Sequence, residues 1–579
     1  MKRQQPLLRK MVGSAVALLA LCYNNVYSIS APITPQQLPS TALPSSVSRS
    51  LKAQQRTAGP QALAPLAAPQ PPPNPMEEQA KKITFKLTKI TLKGNHIYTD
   101  QQLLPIYQDK LNKTISVADL FQIVRDISNY YRNNGYILSR ALLPPQHVKN
   151  GAVTIQIIEG FVDKVNVVGD PGRADVILQK FGTHIQESRP LQVKVMENTL
   201  LLANQIPGVT TRAVLTPSKQ TTGASDVDLV TQLKRWTGYI SYDDYGTRYI
   251  GPQQITGNIG YNSSFLSGDS TLFTYVKTPK GKELAYGDFS YNLPLGSRGV
   301  RWILGGNRAI TNPLFTLAPL KIAGEIDDYY TIWQFPIILT RSANLSFQAA
   351  LNYLDSTVTS FNKQLYTDHL RTVKLNGIYN FADSFRGNNL INLGFGQGLQ
   401  VLGATASTTS TTTSRFGGRG NFTKFELTLS RVQGLFGHFS LFGLLHGQYA
   451  FNPLLASEQF SYGGPLVGRG YDPAEIIGDR GLAGSLELRY DLTLAPKFLP
   501  DMQLYIFYDG GEIWNLKRVA GVKQKQSATS TGIGARMYFN AHLSGNLMFT
   551  QPLTKQVAAE ALIGRGRLPR TFFSIVASL

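Results

Sequence analysis

The side chains that most often carry catalysis are dispersed along this chain. The seven histidines (His96, His147, His184, His369, His438, His446 and His542) are scattered, and none forms a HExxH or comparable ligand spacing. There is no GxSxG nucleophile turn and no GxxxxGK[ST] phosphate loop. Gly394-Phe-Gly396-Gln-Gly398 has the glycine spacing of a dinucleotide-binding turn, but it sits within a strand-like run with no helix after it. The single cysteine, Cys22, lies close to the N-terminus. No disulfide framework, thiolate metal site or cysteine nucleophile can therefore be built in the rest of the chain. No enzyme is legible, and no cofactor or metal is expected.

One constellation does carry chemistry. The long connection from Asn452 to Gly481 contains Gly468-Arg469-Gly470-Tyr471, and Phe507-Tyr-Asp509-Gly-Gly511 follows on a strand-like segment. Glycines on both sides of an arginine allow a tight turn that thrusts the guanidinium outward. A carboxylate can bind that planar fork through two parallel hydrogen bonds. A pair formed by Arg469 and Asp509 would pin the loop to a wall. Composition alone leaves a second reading open, an arginine on an exposed surface loop.

The elements that would position this pair are strands. From about Lys234 to Leu579 no helix pattern remains. Sixteen segments of period-two alternation recur, near 235–244, 253–262, 270–277, 284–292, 299–307, 328–337, 344–355, 367–380, 390–401, 421–431, 438–450, 481–492, 502–511, 528–539, 541–551 and 571–579. In Ser485–Leu492, Leu486, Leu488, Tyr490 and Leu492 share one face, and Ser485, Glu487, Arg489 and Asp491 share the other. In the next strand Asp509 falls on the face opposite Leu504, Ile506 and Tyr508. A soluble sandwich and a barrel in lipid give the same alternation. The repeated length, the even count and the low content of charged residues (16%, against about a quarter in an average soluble domain) favour a 16-stranded antiparallel transmembrane β-barrel over residues 234–579.

The N-terminal part reads differently. Lys2, Arg3, Arg9 and Lys10 precede an apolar stretch from Met11 to Leu21, and small residues close it before Ala31. Residues 1–30 are expected to be an export signal, which directs the chain to the bacterial envelope. Residues 31–80 are rich in Pro, Ala, Gln and Ser and read as a linker, in which Val47–Thr57 could form a short basic helix. Two small α+β units follow, at 81–160 and 161–233, each in the order strand, helix, helix, strand, strand. In the first, helices are expected at Asp100–Leu111 and after Ser116, whose partner Asp119 completes a cap. The net charge of +21 raises nucleic acid as a partner, but the basic residues are spread out rather than clustered. A basic pore, or a surface facing anionic lipid, accounts for the charge instead.

Taken together, Arg469-Gly470-Tyr471, Phe507-x-Asp509-x-Gly511, Leu143-Pro144-Pro145-Gln146, Gly151 through Gly160 and Ile206-Pro207-Gly208-Val209 resemble the motifs of outer-membrane two-partner secretion transporters, the TpsB family of haemolysin and filamentous-haemagglutinin secretion pores. The resemblance spans roughly residues 80–579. It implies two periplasmic POTRA domains, a 16-stranded barrel and a loop, here 452–480, folded into the lumen between strands eleven and twelve. It also implies a latch in which Arg469, Gly470 and Tyr471 meet Phe507, Asp509 and Gly511, and an N-terminal plug helix, for which Val47–Thr57 is the candidate by position. The implied activity is export of a large secreted partner exoprotein, captured by the POTRA domains and passed through a monomeric pore in outer-membrane lipid. This chain departs from the family pattern in having Gly468 directly before the arginine and in ending at Leu579 rather than an aromatic residue. A barrel-assembly insertase and a passive porin or receptor are the competing readings.

Overall fold

The computed structural model describes residues 34–55, 80–221, 223–279, 281–406, 412–494, 498–517 and 523–579. The expected export signal and most of the Pro-rich stretch lie outside the described residues. After two short 3-10 turns, the first α-helix among the described residues is α1 (Pro44–Gln55). It begins on a proline, whose missing N–H costs nothing in a first helical turn.

The first module comprises β1 (Thr84–Lys86), β2 (Lys89–Lys93), α2 (Asp100–Leu103), β3 (Thr114–Ser116), α3 (Val117–Asn133), β4 (Arg140–Leu142) and β5 (Ala152–Ile158). The helix expected over Asp100–Leu111 is only one α-helical turn followed by two 3-10 turns. Pro105 lacks an N–H and crowds the preceding carbonyls, so the regular helix cannot propagate. The single strand expected before the first helix of this unit is also split. β1 pairs with β3, whereas β2 pairs in parallel with β5. At α3 the cap is reciprocal: the Asp119 N–H donates to the Ser116 hydroxyl (3.2 Å), and the Ser116 N–H donates to the Asp119 carboxylate (2.9 Å). Leu120, Ile123, Ile127 and Tyr131 form the buried face of the helix.

The second module has β6 (Phe161–Asp170), α4 (Asp175–Glu187), α5 (Val193–Asn204), β7 (Val209–Pro217) and β8 (Ala224–Leu233). Its sheet order β6-β8-β7 matches β2-β5-β4 of the first, and in both the outer strand on one side runs parallel to the centre. The second module touches the barrel through Arg173 to the carbonyl of Ser264 (2.9 Å), His184 to Ser297 (2.9 Å) and Glu197 to Arg341 (2.7 Å). These are strand-to-strand turns at one end of the barrel, so the modules define that end.

The barrel starts with β9 (Trp236–Asp243), β10 (Gln254–Asn262), β11 (Ser270–Lys277), β12 (Leu284–Leu295), β13 (Val300–Thr311) and β14 (Ile322–Leu339). It continues through β15 (Ala343–Ser360), β16 (Lys363–Ala382), β17 (Gly387–Gly398), β18 (Thr423–Gly434) and β19 (Phe439–Ala450). Two short strands, β20 (Phe460–Tyr462) and β21 (Ile476–Gly478), belong to the long connection. The wall resumes with β22 (Arg480–Thr493), β23 (Asp501–Trp514), β24 (Lys525–Tyr538), β25 (Leu543–Pro552) and β26 (Arg570–Ser578). β26 pairs antiparallel with β9, which closes the sixteen wall strands.

The faces distinguish lipid barrel from soluble sandwich. Leu486 is 54% exposed and Ile506 52%, whereas the neighbouring Glu487 and Asp509 are 1% and 0% exposed. Apolar side chains point outward and charged ones inward, the inverse of a soluble fold and the arrangement a bilayer requires. No helix among the described residues is long and apolar enough to cross a membrane. Strands β14 to β16 are longer than expected, at 18, 18 and 20 residues. At roughly 3.3 Å per residue they overshoot the hydrocarbon, and their far ends, where lipid no longer enforces the alternation, were not legible as strand.

Candidate functional site

The connection between β19 and β22 folds back into the barrel as a hairpin. β20 and β21 pair antiparallel through Phe460↔Gly478, Ser461↔Ile477 and Tyr462↔Ile476. Phe460, Tyr462, Tyr471 and Ile476 pack on Ala483, Ile513 and Ala528 of the inner wall. The fit to the wall is steric: a Cβ on Gly511 would lie 2.2 Å from the Tyr462 ring, and one on Gly481 would lie 2.0 Å from the Phe460 ring. Gly463, Gly464 and Gly468 have φ of +115°, +113° and +81°, the left-handed backbone that lets the hairpin turn so tightly.

At the tip, Arg469 is buried against β22 and β23. Its Nε donates to Asp509 Oδ2 (3.0 Å) and an Nη to Asp509 Oδ1 (2.8 Å), the bidentate fork. The same Asp509 Oδ2 accepts the backbone N–H groups of Gly468 (3.0 Å) and Arg469 (2.9 Å). One carboxylate thus fixes both the side chain and the backbone of the turn. The guanidinium also donates to the Ser485 hydroxyl (2.8 Å) and to Glu487, and it lies 3.5 Å over the Phe507 ring. Gly470 approaches β24 so closely that a Cβ would sit 2.7 Å from the Cβ of Ser530. The Tyr471 hydroxyl donates to the carbonyl of Thr529 (2.9 Å), also on β24. Of the six residues singled out in the sequence, Arg469 meets Asp509 and Phe507, Gly470 and Tyr471 lie instead against β24, and Gly511 lies against Tyr462 of the hairpin.

Partners outside that set complete the site. Glu487 binds Arg489 (2.7 Å) and Arg536 (2.9 Å) in addition to Arg469, so three guanidinium groups share two carboxylates. Arg570 binds Asp472 (2.7 Å) beside the tip. The sequence placed Ser485, Glu487 and Arg489 on the polar face, but gave no reason to select them. The signal is the strand register, in which Ser485 stands opposite Asp509 and Glu487 opposite Phe507. Nearer the root of the hairpin Arg415 pairs with Asp479, which also accepts the N–H of Leu454 (2.8 Å) and of Leu516 (2.7 Å).

α1 occupies the lumen beside this hairpin. Ser48 donates to Asn307 (3.0 Å) on β13, Lys52 pairs with Asp328 on β14, and Val47 and Leu51 join the core formed with Tyr249, Tyr286 and Ile322. Arg49 donates to the carbonyls of Ala456 (2.8 Å) and Gln459, and the Ser40 hydroxyl donates to the carbonyl of Ala474 (2.6 Å). The helix therefore contacts both wall and hairpin. It begins at Pro44 rather than Val47. Thr57 and the preceding Arg56 lie outside the described residues.

Among the described residues no group of three His, Asp or Glu side chains is placed to hold a metal ion. The site holds a segment of its own chain against the inner wall through buried ion pairs and hydrogen bonds.

Comparison with known proteins agrees with this architecture. Residues 85–160 match the ShlB-type POTRA domain. The heme/hemopexin transporter protein HuxB of Haemophilus influenzae (strain 86-028NP) is 22% identical over 493 residues, which is 82% of this chain and 85% of that protein. The outer membrane transporter CdiB of Dickeya dadantii is 23% identical over 75% of this chain and 77% of its own length. The solved structure of CdiB from Escherichia coli superposes with a TM-score of 0.69 at 16% identity, covering 95% of this chain and all of that one, a likeness of fold. The family of the haemolysin secretion/activation protein ShlB/FhaC/HecB matches over residues 223–537, more than half of the sequence, and the chain belongs to that family of outer-membrane transporters, which are not enzymes.

Proposed function

We propose that this chain exports a large, β-rich partner exoprotein of adhesin or haemolysin type from the periplasm to the cell surface, without ATP. The two α+β modules lie in the periplasm and capture the unfolded passenger, which adds an extended segment to a free sheet edge such as β2 or β7. The passenger then passes through a monomeric pore and folds outside, and folding prevents its return.

The observation that carries the reading is the way the lumen is filled. Two pieces of chain, α1 and the hairpin 452–480, occupy it, and apolar packing together with hydrogen bonds and ion pairs to the wall holds them there. Such contacts can be exchanged for others as the pieces move. Arg469 and Asp509 form the latch of the hairpin, and α1 is the plug.

Depletion of the protein, followed by an inventory of the outer membrane and the medium, tests the assignment. Loss of one very large secreted protein is the expected result. General loss of outer-membrane barrels would instead identify an insertase, and altered solute permeability alone would identify a porin.

A further inference from the structure

The outer wall carries a hollow that the export reading does not use. The register of β15 to β19 and β22 places Phe347, Gly377, Leu393, Leu427, Gly447 and Leu482 side by side in one row on the lipid-facing surface. The two glycines interrupt a row of large apolar side chains. A Cβ on Gly377 would meet nothing within 4 Å, and one on Gly447 only the Leu482 side chain at 3.3 Å and the Gly481 carbonyl at 3.6 Å. The result is an open groove of about 730 Å³ whose exposed lining is almost wholly apolar. Its size is in the range of sites that enclose a substantial part of a small ligand.

The groove is bordered by a chain of rings. Phe395 contacts Phe425 (5.4 Å between centroids), Phe425 contacts Phe451 (6.0 Å), and Phe451 contacts Tyr449 (5.2 Å). Aromatic side chains of this kind mark the level where hydrocarbon gives way to headgroups. At that level Arg480, the first residue of β22, lies 3.8 Å over the Tyr449 ring. It is outward-facing like Leu482 two residues on. Its Nε donates to the carbonyl of Ala450 (2.9 Å), and among the described residues no carboxylate pairs with it. Arg480 stands at the end of the barrel opposite the modules.

A cation without a counter-charge at headgroup level, directly above an acyl-sized hollow, is complementary to an amphiphile with a phosphate head and a hydrocarbon tail. We propose that this groove binds lipid A, the acylated and phosphorylated glycolipid of the surface leaflet. One acyl chain lies over Gly377 and Gly447, and a phosphate is held by Arg480. The choice of leaflet rests on the export reading, which puts the modules in the periplasm.

The full-length protein, purified in detergent, would be offered lipid A, phosphatidylglycerol or phosphatidylcholine singly, and retained lipid read by native mass spectrometry. Lipid A is expected to be retained preferentially. Arg480→Gln should lower that retention about fivefold, the effect of one basic residue at an anionic surface. Gly377→Leu, which fills the hollow without a clash at Cβ, should lower it comparably while heat-modifiability stays normal. Equal retention of phosphatidylcholine, preference for phosphatidylglycerol, or wild-type retention by both variants would overturn the site. The leaflet is tested separately by labelling Phe361→Cys, in a turn at the Arg480 end, with an impermeant thiol reagent on intact cells. Labelling is expected, and its absence would overturn the orientation without touching the lipid measurement.

Discussion

Arg469 uses all three of its side-chain nitrogens, spread over Asp509, Ser485 and Glu487. Removing one partner of a buried ion pair leaves the other uncompensated and typically costs about 3–5 kcal/mol. Arg469→Ala and Asp509→Ala should each cut secretion of the passenger by more than about tenfold, with the barrel still inserting in heat-modifiable form. The check is an immunoblot of medium against membrane; normal secretion by both variants removes the latch. A reciprocal exchange, Arg469→Asp with Asp509→Arg, should not rescue export, because the new carboxylate at 469 would face Glu487. This expectation could not have been formed from the sequence. The Arg–Asp pair was legible through its resemblance to a family, but Glu487 enters only through the register of β22 against β23.

At the level of elements, the cap of α3 offers an independent measurement. Ser116→Ala removes the hydroxyl that accepts the Asp119 N–H, and loss of such a cap costs about 1 kcal/mol. The expected result is a lower thermal midpoint for the 80–233 fragment and little change in the barrel. The Asp119 carboxyl is held below its ordinary value first by the Ser116 N–H, then by the Ser116 hydroxyl, with Lys110 adding a smaller favourable charge. Because the folded value is depressed, the stabilisation from this group is complete above the ordinary aspartate range. It is lost as pH falls through the depressed value. Ser116→Ala should therefore destabilise the fragment less in strong acid than at neutral pH, and an equal loss at both would argue against the cap. The cap itself could be read from Ser116 and Asp119. The helix expected over Asp100–Leu111 runs through Pro105, whose missing N–H breaks it after one turn.

On the scale of the whole molecule, the lumen holds α1 as well as the hairpin. α1 reaches from the wall at Asn307 and Asp328 to the hairpin at Ala456 and Gln459. Deletion of residues 34–55 is expected to raise single-channel conductance in planar bilayers several-fold, since a helix about 10 Å across would leave the pore. Unchanged conductance would mean that the hairpin alone sets the opening. Arg49→Ala should have a smaller effect in the same direction, because Lys52 and the apolar contacts of Val47 and Leu51 remain.

The sequence by itself located sixteen strands and the two faces of β22 and β23, and its low charge favoured a barrel over the sandwich that the alternation alone left open. Those follow from a period-two pattern that lipid on one side and water on the other impose at every step. It also marked Arg469 and Asp509 as a possible pair. The tertiary structure alone decided that the hairpin carries its own short strands, that three arginines share two carboxylates around its tip, and that glycines on β16 and β19 open one hollow. These features depend on which strands become neighbours and in what register, and no local stretch of chain encodes a partner tens of residues away.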